Sequence, residues 1–211
     1  MLYKAGAAKV LEHELATYKI DIAALQEIRW TGIGKLEREK GVILYSGKDD
    51  GNYVEGAGFY LSKRVYGAHM EFTPISSRIA KIRLNANWFN ITILCLHANT
   101  EITDDDEKDE WYDHIQSEID QIPRHGVLLI FCDMNAKNGE EVNAFQGSIG
   151  LQSLHQESND NEIRSATFAI QNFMIFGGTI FPHKDSHKGT WISPDGNTIN
   201  QINHIMTNYT K

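Results

Sequence analysis

The chain has 211 residues and a formal net charge of −8, with 28 Asp and Glu against 20 Lys and Arg. That balance argues against a module that coats nucleic acid with a broad basic face, though not against an enzyme whose carboxylates hold a cation. No apolar run approaches the roughly 20 residues a membrane span needs, so no membrane partner is expected.

The length suits one core, and a single domain over residues 1–211 is expected. The start, Met1-Leu2-Tyr3-Lys4, lacks the plan of a secretory signal, so an intracellular protein of nucleus or cytoplasm is expected. Cys95 and Cys132 both sit in apolar runs and read as buried free thiols. On that reading the glycosylation-like triplets Asn90-Ile91-Thr92 and Asn208-Tyr209-Thr210 are coincidental.

In chain order, residues 5–18 read as a helix with Val10, Leu11, Leu15 and Tyr18 on one stripe. Residues 20–25 form a short apolar run of the kind buried on both faces, ending at Gln26-Glu27. Residues 28–40 read as a polar loop and residues 41–46 as a strand. A Gly-rich turn over residues 49–58 leads into Phe59-Tyr60-Leu61. Residues 78–84 alternate as a half-buried strand and residues 88–96 form another, which together suggest a hairpin. Thr103 opens a helix with acids in its first turn and Trp111, Ile115 and Ile119 at spacing four. Asp104-Asp105-Asp106 lacks the glycine and alternating ligands of a calcium loop. Residues 127–132 form a second fully apolar strand, ending at Asp133. Residues 162–174 read as a helix, Gly177-Gly178 as a turn into a strand at residues 179–181, and residues 200–206 as the last strand. Two packed sheets with helices outside is the natural architecture.

Two of these strands deliver an acid at the C-terminal end, Glu27 and Asp133. A carboxylate beyond an apolar strand is costly unless a cation or a cationic partner meets it. Each acid alone has a plainer account, as a loop opener or helix cap. Asn135, two residues past Asp133 and so on the same side of an extended segment, strengthens the functional account. His183-Lys184 and His187-Lys188 form a basic cluster. Pro182 and Gly189 make a helix across it improbable, so the histidine spacing does not indicate a metal pair. A solvated loop is expected there, with a DNA-backbone contact as the alternative.

Leu25-Gln26-Glu27 and Cys132-Asp133-Met134-Asn135-Ala136-Lys137 resemble two signatures of the endonuclease/exonuclease/phosphatase superfamily. More narrowly, the chain resembles the endonuclease domains of RTE-type non-LTR retrotransposons, a group also known as craniofacial development protein 2-like. The supporting stretches are Ile22 to Trp30, Ser158-Asn159-Asp160-Asn161, Phe181-Pro182-His183-Lys184, Trp191 to Gly196, and Asn200-Gln201-Ile202. The resemblance implies an α/β (α+β) fold, a four-layer sandwich of two mixed sheets flanked by helices, that hydrolyses phosphodiesters with Mg²⁺ or, in its place, Mn²⁺. It implies DNA as partner and a monomeric chain. By position, Glu27 resembles the metal-binding glutamate and Asp133 the acid that orients or deprotonates the attacking water. Asn135 resembles the amide that steadies phosphate and metal shell, and Arg78 an arginine on the substrate phosphate. His97 stands where the retrotransposon branch has tyrosine and other branches histidine; phosphate contact and a polar strand end are equal accounts of it. Thr100, in the same turn, and Trp191 resemble substrate contacts.

The sequence also departs from the pattern. The family's first-strand asparagine and its C-terminal Ser-Asp-His strand are not in it, so the fold is expected to be incomplete at both ends. The aspartate that orients and charges the catalytic histidine is Asn203 here, a degenerate position. The expectation is a DNA-nicking hydrolase by descent, impaired or inactive. The alternatives are a phosphatase or phosphodiesterase of the same superfamily, and a non-catalytic binding protein.

Overall fold

The structure is a computed structural model that describes residues 2–208 except 52, 124, 137–146, 151, 153, 155–158 and 194, with only the backbone of Asp185. Lys137, Ser158, Pro194, Tyr209 and Thr210, which belong to stretches quoted above, lie outside the described residues. The chain divides into two compact units, Met1–His97 and Ala98–Lys211.

In the first unit, helix α1 (Ala7–Thr17) precedes β1 (Ile22–Leu25), β2 (Ile33–Glu37), β3 (Gly41–Ser46) and β4 (Ala57–Ser62). These strands form an antiparallel sheet of order β1-β4-β3-β2. A one-turn helix α2 (Lys63–Tyr66) leads to β5 (His69–Pro74), β6 (Ile79–Leu84) and β7 (Ile91–His97), which pair antiparallel in that order. Side chains alternate along a strand, so β3 and β4 supply two apolar faces. Ile43 and Tyr60 are register partners and pack with Leu15, Leu25 and Ile28 under α1. Val42, Leu44, Phe59 and Leu61 turn to the opposite face, where β4 packs on β6 and β7. Phe59 is fully buried, and truncating such a ring to alanine costs about 3–5 kcal/mol.

The second unit contains α3 (Asp105–Asp120), β8 (Val127–Asp133), α4 (Asp160–Gln171), β9 (Met174–Phe176), α5 (Gly177–Ile180), β10 (Trp191–Ile192), β11 (Ile199–Asn200) and β12 (Asn203–Asn208). β12 pairs antiparallel with both β8 and β9, and β10 and β11 form a separate two-stranded ribbon. The Asp104 carboxylate accepts the Asp106 N–H and caps α3, and Asn159 caps α4 by accepting the Glu162 N–H. Arg164 of α4 then pairs with Asp105 and Asp109 of α3, while Gln116 and Asn172 exchange amide hydrogen bonds. Among the described residues no helix is long and apolar enough to cross a membrane.

Several expectations need correction. The polar stretch 28–40 contains β2, an edge strand whose alternate side chains are exposed, so its apolar signal is thin. Gly177–Ile180 is a helical turn and not the start of a strand, because the strand there is Met174–Phe176, just before the glycines. Trp88 and Phe89 lie in the β6–β7 turn, with Trp88 almost wholly exposed. β8 alternates buried and half-buried residues, although its sequence is continuously apolar. In the basic cluster His183, Lys184 and His187 are exposed as expected, but Lys188 is buried. Both cysteines are buried free thiols, and burial pushes the Cys95 thiol up to about 12.

Candidate functional site

In the first unit, β1 ends at Leu25 and the chain enters a turn in which Glu27 and Arg29 both adopt positive φ, 50° and 60°. Ile28 between them is 1% exposed and belongs to the core under α1. The turn is tied to the Gly-rich segment: Ile28 N–H donates to the Gly56 carbonyl and Arg29 N–H to that of Glu55. Gly56 has φ 142°, and a Cβ there would lie 3.0 Å from the Arg29 nitrogen, so only glycine lets the segments approach. With Ile28 anchored, the side chains on either side pair, Arg29 Nη2 standing 2.9 Å from Glu27 Oε2.

Glu55 organises the neighbouring cations. Its Oε1 accepts from Arg78 Nε at 3.2 Å, with Arg78 Nη2 at 3.1 Å and Lys48 Nζ at 3.2 Å, and its Oε2 accepts from the Ser77 hydroxyl. Burial raises the Glu55 carboxyl most strongly of any one influence. The Ser77 hydrogen bond, Arg78 and Lys48 together outweigh it and leave the group below its ordinary range. Arg78 also reaches the His97 carbonyl at 3.4 Å. His97 is 7% exposed, and its buried Nδ1 has no hydrogen-bond partner among the described residues. Burial first, then Arg78, holds the His97 imidazole below its usual value. Such a ring is neutral and keeps an unused polar atom, an arrangement that calls for a role.

In the second unit, β8 ends at Asp133. Its carbonyl accepts the Ala98 N–H at 2.8 Å, and one carboxylate oxygen accepts the Asn135 N–H at 3.1 Å. Asn135 has φ 49°; its Nδ2 donates to the Ala98 carbonyl at 2.9 Å, and its own carbonyl accepts from Asn159 and Asn161, each at 3.3 Å. Met134 and Ala136 on either side are fully buried. Three of the five non-glycine positive-φ residues among those described therefore lie in these two turns. Strained backbone gathers where a side chain must be aimed.

Pairing of β12 with β8 makes Asn203 the register partner of Asp133, on the exposed side of the strand, while His204 opposite Cys132 is buried against Phe176. The Asn203 N–H and the Ile202 N–H both donate to the Thr190 hydroxyl. Trp191 follows on β10 and is 39% exposed. Thr100 is exposed, with its hydroxyl 3.2 Å from that of Thr103. So Glu27, Arg78 and His97 share the first unit's charged cluster, and Asp133, Asn135 and Asn203 gather at the end of β8. Thr100 and Trp191 make no hydrogen bond of their side chains to Asp133 or Asn135 among those described.

Sequence reasoning missed Glu55, Ser77 and Lys48 as the groups that hold Arg78, and Arg29 as the partner of Glu27. An acid inside a Gly-rich turn, read only as a connector, was the one available signal for Glu55. Among the described residues no group of three or more His, Cys, Asp or Glu side chains is gathered as a ligand set. The Glu27 carboxylate, 47% exposed, suits a hard cation that keeps most of its water and takes one or two carboxylates from protein.

No family model matches the chain. Among curated proteins it is similar to craniofacial development protein 2 of Bos taurus, 29% identical over 202 residues, which cover 95% of this chain and 33% of that protein. The chain thus spans about a third of the length of that relative. Among solved structures it is similar to the endonuclease domain of TRAS1, a telomere-specific non-LTR retrotransposon. There the TM-score is 0.63 at 15% identity, covering 97% of this chain and 80% of that one. These likenesses are of fold, and they include a protein of the endonuclease/exonuclease/phosphatase family. A member of that family from Leptotrichia buccalis aligns over 98% of this chain and 84% of its own, with TM-score 0.58 at 14% identity. The expected α/β class, β-sheets flanked by helices, is the observed one, and it is shared with these solved structures.

Proposed function

We propose that the chain is a divalent-cation-dependent phosphodiester hydrolase that nicks DNA, of retrotransposon descent, with turnover held down by Asn203. The observation that carries this reading is the Asp133-Met134-Asn135 turn, whose strained Asn135 is pinned at its N–H, its carbonyl and its side chain. In this reading Glu27 holds Mg²⁺ or Mn²⁺, which supplies positive charge to the phosphate. Asp133 orients the attacking water and accepts its proton, with its carboxylate already turned by the Asn135 N–H. Asn135 steadies the phosphate. Arg78, braced by Glu55, neutralises phosphate charge, and neutral His97 offers Nδ1 for a further contact. Thr100 and Trp191 serve as contacts to the rest of the nucleic acid. The likeness to a retrotransposon endonuclease domain supports nucleic acid over a small phosphate ester.

Asn203 favours low turnover because of its register. A carboxylate at that position would stand beside Asp133 and raise its pKa, making it a stronger base near neutrality, which an amide cannot do. The test is relaxation of supercoiled plasmid in Mg²⁺, with and without EDTA, by the wild-type chain and by Asn203→Asp. Slow nicking, abolished by EDTA and raised about tenfold in the variant, is expected. DNA binding without nicking by either chain would replace this reading with a non-catalytic binding protein. Hydrolysis of a small phosphate ester but not of DNA would replace it with a phosphatase.

A further inference from the structure

We infer that Asn159 and Asn161 are positioning residues that hold Asn135 for the reaction, an inference that rests on the proposed hydrolase reading. Asn161 is 3% exposed in the first turn of α4, a place where asparagine is a poor helix former and its amide must be satisfied. Its Nδ2 lies between two carbonyls, that of Asn99 at 3.2 Å and that of Asn135 at 3.3 Å. Asn159 divides its side chain. Oδ1 accepts the Glu162 N–H as the helix cap, while Nδ2 donates to Asn135 O at 3.3 Å and to Glu101 Oε2 at 2.7 Å. Glu101 in turn accepts the Asp160 and Asn161 N–H groups, so both amides sit in one frame.

That frame has no need to touch Asn135 in order to cap the helix. What it gains there is a fixed carbonyl on a residue whose left-handed backbone is unfavourable and persists because its surroundings impose it. Released from the two amides, Asn135 relaxes toward ordinary φ and carries its side chain away from the end of β8. Neither amide is assigned to substrate, and Asn135 steadies the phosphate chiefly as charge develops in the transition state, so the loss falls on the rate of the bound complex more than on affinity.

The experiment compares plasmid nicking by wild type, Asn161→Ala and Asn159→Ser, each alone and combined with Asn135→Ala. Alanine favours the helix, and serine keeps a neutral cap acceptor while removing the amide donor, so both variants preserve α4. The expected result is kcat lowered about 10- to 100-fold with KM within about twofold, and no further loss once Asn135 is alanine. Full kcat in both variants, or equal losses with and without the Asn135 side chain, would overturn the inference. Hydrogen exchange of a peptide spanning residues 133–136 provides a second readout. Faster exchange in Asn161→Ala, with β8 unchanged, is expected. If the wild type does not nick and exchange still quickens, the hydrolase reading falls and the clamp stands; if exchange is unchanged, the clamp falls as well.

Discussion

The two turns that carry the candidate residues are aimed by different forces. The side chains of the Glu27 turn and Arg78 are held by charge: Glu27 with Arg29, and Glu55 with Arg78 and Lys48. The Asp133 turn is set by neutral donors, the amides of Asn159 and Asn161 and backbone N–H groups. Ion pairs in partial solvent weaken with salt and yield to a competing cation, whereas amide-to-carbonyl bonds do neither. A region that must take up a metal and meet phosphate thus keeps exchangeable partners. A region that must orient a water keeps fixed ones.

This contrast can be broken at several points. The largest effect is expected at Glu55→Gln, which leaves Arg78 and Lys48 facing an amide. Thermal or urea unfolding should show a loss of about 1–3 kcal/mol, and the loss should shrink in high salt. The mirrored change, Asn161→Ala, which removes a neutral amide, should show no such shrinkage. Next in size is metal binding, followed by Mn²⁺ electron paramagnetic resonance. Glu27→Gln should weaken Mn²⁺ more than about tenfold, and Arg29→Gln should tighten it about two- to fivefold by removing a competing cation. Unchanged binding in both would show that Glu27 is not the ligand. The smallest effect concerns His97. Its folded pKa lies below its unfolded value, near 6.5, through burial and then Arg78. The stability linked to it is therefore fully present above that unfolded value and is lost as pH falls through the folded one. His97→Asn should flatten the slope of unfolding free energy against pH in that acid window, relative to wild type. An identical slope would show that the ring does not titrate differently on folding.

The elements most legible in the sequence were those with strong periodicity or chemistry. Helix α1, the alternation of β6 and the acidic start of α3 all follow from local pattern, although Val10 and Tyr18 of the expected α1 stripe lie exposed, and the acids at the ends of β1 and β8 stand out because apolar runs stop at them. β2 was hidden because an edge strand with one solvent-facing side carries few apolar residues. The alternating burial of β8 was hidden because an apolar side chain can lie half exposed, as Phe131 and Leu129 do. At the site, Asp133 and Asn135 were found by their spacing, and Asn203 by its departure from a pattern. Glu55, Arg29 and Asn161 were not assigned roles, since each acts across a gap in sequence that only the fold closes: Glu55 reaches Arg78, and Asn161 reaches Asn135.

The central claim is that the turn after β8 is a working hydrolytic centre, and single-turnover nicking of supercoiled DNA in Mg²⁺ by wild type and Asp133→Ala tests it most directly. The account predicts slow but measurable nicking by the wild-type chain and a fall of at least about 100-fold in the variant, with the fold kept. Equal rates in the two chains would contradict it.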